Sequence, residues 1–195
     1  MKKAFLLATI LLISVITTAC INNFAVQELN NKAKTFMEQG DYISAIERLK
    51  SSVDLDDTVF ETQYNLAVAY TKAEDYLNAI KTYNAASNLN PNFADLYYSR
   101  AVCEENLAKD IISGELLVED NGTIVKNDKK YEEEDSTVAN SSKLSDIAVK
   151  TLLDSIDSAA ADYQIYIDKS QNASDKEEIN NKLEELKKLA ESYAK

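Results

Sequence analysis

Gly40-Asp41-Tyr42-Ile43-Ser44-Ala45-Ile46 returns 34 residues later as Glu74-Asp75-Tyr76-Leu77-Asn78-Ala79-Ile80. The same offset relates Ala33 to Ala67 and Ala67 to Ala101, Phe36 to Tyr70, Leu49 to Tyr83, and Ser52 to Ala86. Working outward, the fullest copy reads YNLAVAY from Tyr64 to Tyr70, then DYLNAI, Tyr83, Ala86 and the closing Asn90-Pro91-Asn92. Alanine recurs where two helices must approach closely, since larger side chains there would hold them apart. Leu66, Tyr70, Tyr76 and Tyr83 are large enough to fill the space between helices, with tyrosine hydroxyls reaching its edge. A single helix pair cannot bury its own apolar face, so stacking of pairs must supply the core.

A 34-residue period with this alternation of small and aromatic residues resembles the tetratricopeptide (TPR) repeat. The resemblance implies an all-α fold, a TPR helical-hairpin solenoid. Its first two repeats are expected at about 26–59 and 60–93, with Gly40 and Asp41 in the turn of the first pair. Pro91 suits the first turn of the helix that follows, where a missing N–H costs nothing. A third repeat opens with ADLYYSRAVCEENLAKD from Ala94. Helical periodicity then fails from Asp110 to about Lys143, far longer than an ordinary connection. Second-helix spacing reappears in SIDSAAADYQIYIDKS, through Ala159, Tyr163 and Tyr166, and Leu144 to Leu153 extends that helix backwards. The third repeat is therefore expected at 94–173 with an insertion at about 110–143, and residues 174–195 as a C-terminal capping helix. That tail places Ile179, Leu183, Leu186 and Leu189 on one face, with Ser174 or Asp175 as N-cap.

Within the insertion, Glu115 to Lys126 (ELLVEDNGTIVK) sets two β-prone runs on either side of Asn121-Gly122. This predicts a small hairpin whose two turn residues both take positive φ. The polar stretch NDKKYEEEDSTVANSS follows. Its Glu132, Glu133, Glu134 and Asp135 lack the alternating oxygen-ligand spacing of a calcium loop and read as a solvated charge run. The insertion is either a lid or partner contact, or a tolerated surface excursion.

MKKAFLLATILLISVITTAC opens the chain with two lysines, a mostly apolar run from Ala4 to Ile16, and small residues before Cys20. Such a segment, residues 1–19, reads as an export signal. Ile16, Thr18, Ala19 and Cys20 resemble a loose bacterial lipobox, although Thr17 stands where Leu is usual. That resemblance implies acylation of Cys20, with residues 20–25 as lipidated N-terminus and linker, and a domain lipid-anchored in the bacterial cell envelope. An uncleaved anchor helix over Ala4 to Ile21 and ordinary cleavage with an unmodified Cys20 are the alternatives. Each places the rest of the chain outside the cytoplasm.

The net charge is −12, from 21 basic and 33 acidic residues, and loss of Lys2 and Lys3 would make it more negative. Affinity for nucleic acid depends on Lys and Arg neutralising phosphates, so none is expected. Adhesion to anionic lipid is disfavoured for the same reason, leaving the N-terminus as the membrane attachment. Histidine is absent, and with it the usual general base near neutral pH. There is no glycine-rich phosphate loop and no serine elbow. Cys103 lies on an apolar helix face beside Ala101 and Val102, as a buried thiol would. No enzyme activity, metal or cofactor is expected.

The TPR resemblance implies a binding module whose first helices line a concave groove. Carried over residue by residue, the groove set is Asn30, Lys34, Tyr64, Val68, Lys72, Tyr98 and Val102, with Tyr64 and Tyr98 as an aromatic track. The clamp that holds acidic peptide termini in some TPR domains needs basic residues where this chain has Asp95 and Ser99. The expected role is a membrane-tethered adaptor for another envelope protein or peptide. Capture of a small solute or glycan, with the insertion as lid, is the alternative.

Overall fold

The computed structural model describes residues 23–127, 144–170 and 175–194. The export signal, Cys20, the Glu132–Asp135 run and Ser174 lie outside these described residues. The chain divides after Asn90 into two compact units.

In the first unit, α1 covers residues 23–38, so 23–25, assigned above to a linker, are already helical. Then come α2 (Tyr42–Leu55), α3 (Phe60–Lys72) and α4 (Tyr76–Leu89). The turn within each pair is built the same way. Asp41 N–H reaches back to Phe36 O at 2.9 Å and Gly40 N–H to Met37 O at 3.1 Å. Thirty-four residues on, Asp75 N–H bonds Tyr70 O at 3.0 Å and Glu74 N–H bonds Thr71 O at 3.1 Å. This is the Schellman closure, which needs a left-handed residue after the helix. Gly40 takes that conformation at φ +77°; Glu74 takes it at φ +59° against the steric preference of a residue with a Cβ. The next residue starts the second helix: Asp41 accepts from Ser44 N–H at 3.1 Å and Asp75 from Asn78 N–H at 3.3 Å, each filling a vacant first-turn donor.

These turns bring the alanines face to face with neighbouring helices. Ala33, Ala45, Ile46, Leu49, Leu66 and Ala69 form one buried cluster, flanked by Phe36, Met37, Val53, Tyr70 and Ala73. Ala67, Ala79 and Ala86 are fully buried, and Tyr83 lies among them with its hydroxyl 3.4 Å from Thr71 Oγ1.

The second unit holds α5 (Ala94–Ser113), strands β1 (Leu116–Val118) and β2 (Ile124–Lys126), α6 (Asp146–Lys169) and α7 (Lys176–Tyr193). Pro91 lies in the turn before α5, not in its first turn; its carbonyl accepts the Tyr97 hydroxyl at 2.9 Å. The helix also outlasts its expected end at Asp110. Ile111 extends the buried face of Leu107 and Ala108, and Gly114 at φ +74° closes the helix. The insertion thus begins at Gly114.

The hairpin is present and antiparallel, pairing Leu116 with Lys126 and Val118 with Ile124. Its turn differs from expectation. Gly122 N–H bonds Glu119 O at 2.8 Å and Glu119 N–H bonds Thr123 O at 2.9 Å, so a four-residue turn ends in a glycine bulge. Only Gly122 has positive φ; the Asn121 side chain instead accepts from Thr123 N–H at 2.7 Å. β1 packs on α5 and α6. Ala159, Tyr163 and Tyr166 are buried on α6 as the late-helix reading expected, and Ile179 and Leu186 bury α7 against it. Leu183 and Leu189 are half-buried. Among the described residues no helix is long and apolar enough to cross a membrane.

The left-handed Glu74 yields a direct test. Glu74→Gly should stabilise the chain by about 1 kcal/mol, because glycine meets no Cβ penalty there. Urea unfolding followed by circular dichroism would show a higher midpoint. Gly40→Glu, the reciprocal change, should lower it.

Candidate functional site

One turn of α5 presents Asp95, Tyr98 and Ser99 on a single face, at the i, i+3, i+4 spacing of a helix. α6 contributes Tyr166, and the start of α7 contributes Asp175, Glu178 and Ile179. Together these residues enclose a cleft of about 370 Å³. The Tyr98 ring is fixed from behind by Tyr163, edge-on with centroids 5.8 Å apart, and by Tyr166 at 5.4 Å and 53°. Tyr163 is fully buried and donates its hydroxyl to Glu105 Oε2 at 2.8 Å. Burial resists the charge on Glu105, but hydrogen bonds from Lys109 and Tyr163 and the charges of Lys109 and Lys182 bring its pKa below the usual carboxylate value. At the rim Tyr166 donates to Asp175 Oδ2 at 3.2 Å. Among the described residues the lining is three carboxylates, two tyrosines, a serine and an isoleucine, with no lysine or arginine.

Tyr98 therefore lines a cleft, whereas Val102, one turn further along α5, is half-buried outside it. Asp95 and Ser99, singled out because they break the basic clamp, sit beside Tyr98. Asp175 and Glu178 join the site without having been candidates for it. Their only sequence signal is an acidic start to the tail, which reads equally well as favourable helix-dipole placement.

The first unit treats its groove candidates differently. Asn30 ties α1 to α2 and α3: its amide N–H groups face Val26 O at 3.0 Å, Ser52 Oγ at 3.3 Å and Thr62 Oγ1 at 2.8 Å, while its Oδ1 has no hydrogen-bond partner among the described residues. Tyr64 stacks on Phe60 at 5.9 Å and tilts against Tyr83, also at 5.9 Å. Val68 is half-buried; Lys34 and Lys72 are exposed, Lys72 at the end of α3. A cleft of about 260 Å³ in this unit is lined by residues of α2, α3 and α4, among them Lys50, Gln63, Leu66, Tyr70 and Lys81, and by none of the five candidates. Tyr64 and Tyr98 belong to different units.

No protein-family model matches the chain. The BBSome complex member BBS4 homolog of Drosophila melanogaster is 33% identical over 78 residues, 40% of this chain but only 16% of that protein. Among solved structures, the Arabidopsis OM64 TPR domain aligns with TM-score 0.57 at 12% identity, covering 84% of this chain and 98% of that one. The first TPR of Spaghetti (RPAP3), bound to the HSP90 peptide SRMEEVD, aligns at 0.55 and 18% identity, with 84% and 91% covered. The second TPR domain of human RPAP3, in complex with the HSP70 peptide SGPTIEEVD, aligns at 0.54 and 14%, with 85% and 98% covered. The fold is that of TPR helical hairpins.

Against the TPR repeat, the third copy carries an exchange with electrostatic consequences. At the 34-residue offset, Arg100 replaces Leu66 and Glu104 replaces Tyr70. Arg100 pairs bidentately with Asp162 of α6, Nε to Oδ2 at 2.6 Å and Nη2 to Oδ1 at 2.7 Å, and lies 5.5 Å from the Tyr97 ring centre. Burial disfavours the guanidinium charge, yet the Asp162 hydrogen bonds and charge hold its pKa above the ordinary value. Glu104 is 8% exposed and its Oε2 has no hydrogen-bond partner among the described residues. Burial, then the Asp162 charge, raise its pKa from 4.5 to about 8, against the pull of Arg100.

Because the folded pKa is raised, the two states differ between pH 4.5 and about 8, where the unfolded chain has released the Glu104 proton and the folded chain retains it. Stability therefore falls as pH rises through that window. Glu104→Gln removes this slope and should gain on the order of 2 kcal/mol over the parent between about pH 5 and pH 8. Urea midpoints of both chains across that range measure it; a parallel pH dependence would refute the assignment.

Proposed function

We propose that this chain is a membrane-tethered TPR adaptor that holds a segment of another envelope protein in the cleft at Tyr98. The observation that carries the reading is the cleft itself: packed tyrosines, carboxylates around them, and no cation among the described residues of the lining. Two solved relatives of the fold hold peptides ending in EEVD. Here Asp95, Asp175 and Glu178 would repel such an acidic end, so a basic or neutral segment is the complementary ligand. Tyr98 and Tyr166 offer ring faces to a cation as well as apolar area. Support for the tether is the N-terminal sequence, with Cys20 acylated after export.

The test is a photo-crosslinking residue at Ser99 in the full chain, in the bacterium that makes it. One discrete protein adduct is expected. In Asp175→Lys/Glu178→Lys its yield at limiting partner should fall roughly tenfold, the equivalent of about 1.4 kcal/mol in affinity. An adduct indifferent to these reversals would place the partner elsewhere, and crosslinking to no protein would refute the adaptor role.

A further inference from the structure

Phe24 is 71% exposed, the most open large apolar side chain among the described residues. It sits in the first turn of α1, two residues before Val26, which is buried in the first unit. The helix is held firmly there. Asn30 bonds Ser52 near the end of α2 and Thr62 near the start of α3, so the beginning of α1 lies at the same end of the unit as Leu55. Leu55 is itself 41% exposed, and Leu89, at the corresponding end of α4, is 40% exposed. Phe24 is therefore a fixed apolar projection from an end that carries further exposed apolar surface.

Chain length identifies what it meets. Phe24 follows Cys20 by four residues, and four residues span at most about 14 Å. If acyl chains on Cys20 enter the bilayer, Phe24 is held within about 14 Å of their point of entry, within reach of the headgroup boundary where the apolar residues of an interfacial helix bury. Asp56, Asp57 and Glu61 flank this end and favour water, which limits the contact to a shallow one and gives no attraction to anionic lipid.

The geometry points to a bilayer-contact site at the start of α1, with Phe24 seated in the headgroup boundary of the membrane that holds Cys20. This rests on the lipid anchor proposed above. Because α1 is packed into the first unit through Val26 and Asn30, a contact at Phe24 would hold that unit beside the bilayer.

The chain has no tryptophan, so Phe24→Trp places a unique fluorophore at the site. The full-length acylated protein is reconstituted in phosphatidylcholine vesicles with or without bromine on the acyl chains, after intact-mass measurement of its N-terminus. Expected are blue-shifted emission and loss of fluorescence in the brominated vesicles. Leu77→Trp, exposed at the start of α4, serves as the control that stays in water and unquenched. Helical circular dichroism shows that both variants are folded. Acylated Phe24→Trp protein whose fluorescence is unquenched overturns the contact while leaving the anchor standing. Equal quenching of the two variants overturns it in favour of general adhesion. An unmodified Cys20 on protein that does not float with vesicles overturns both.

Discussion

The closeness with which helix backbones may approach governs everything else in this chain. Ala33, Ala45, Ala67, Ala79 and Ala101 are at most 1% exposed, and each marks a place where a larger side chain would separate two helices. Interiors pack as densely as organic crystals, so an added methylene there has nowhere to go without strain. Once the alanines set the spacing, the turn geometry of the first unit follows: each of its pairs uses a left-handed residue and an aspartate cap to reverse direction between its helices. The large residues then take the remaining volume, Leu49 and Tyr83 at equivalent places in successive repeats.

This dependence explains why so much of the fold is legible in residue order. Periodicity reports side-chain size, and size fixes which helix faces meet. The first two repeats and the late helix through Tyr163 and Tyr166 follow from it, whereas the hairpin is read from the β-prone runs on either side of Asn121-Gly122. Expectation and structure part where size carries no message. Ile111 extends α5 because a neighbouring element covers it, something no local pattern reveals. At the hairpin turn Asn121 has two solutions, a left-handed backbone or a side chain bonded to Thr123, and takes the second. The contacts of the Asn30 amide with Ser52 and Thr62, across two neighbouring helices, likewise carry no local signal. At the cleft, Tyr98 is readable as the repeat equivalent of Tyr64. Its partners Tyr166, Asp175 and Glu178 lie far away in sequence and join it only through folding.

The second unit shows how a repeat can be re-specified without losing its shape. Arg100 and Glu104 stand where the preceding copy has Leu66 and Tyr70, yet Ala101 is still buried and α5 still lies along α6. Charges in such a place cost desolvation, which a bidentate pair offsets only in part. They also demand a specific partner: Asp162 can satisfy Arg100 in one helix register, whereas a leucine would tolerate several. The same α5–α6 register brings Tyr98 against Tyr163 and Tyr166, so the charged pair and the cleft depend on one alignment.

Cys103 gives that alignment a built-in clock. Its thiol is fully buried on α5, one turn beyond Arg100. A thiol reagent reaches it only while α5 is uncovered, so its rate of modification counts openings of the second unit one molecule at a time. The slower that count, the longer the cleft keeps its form.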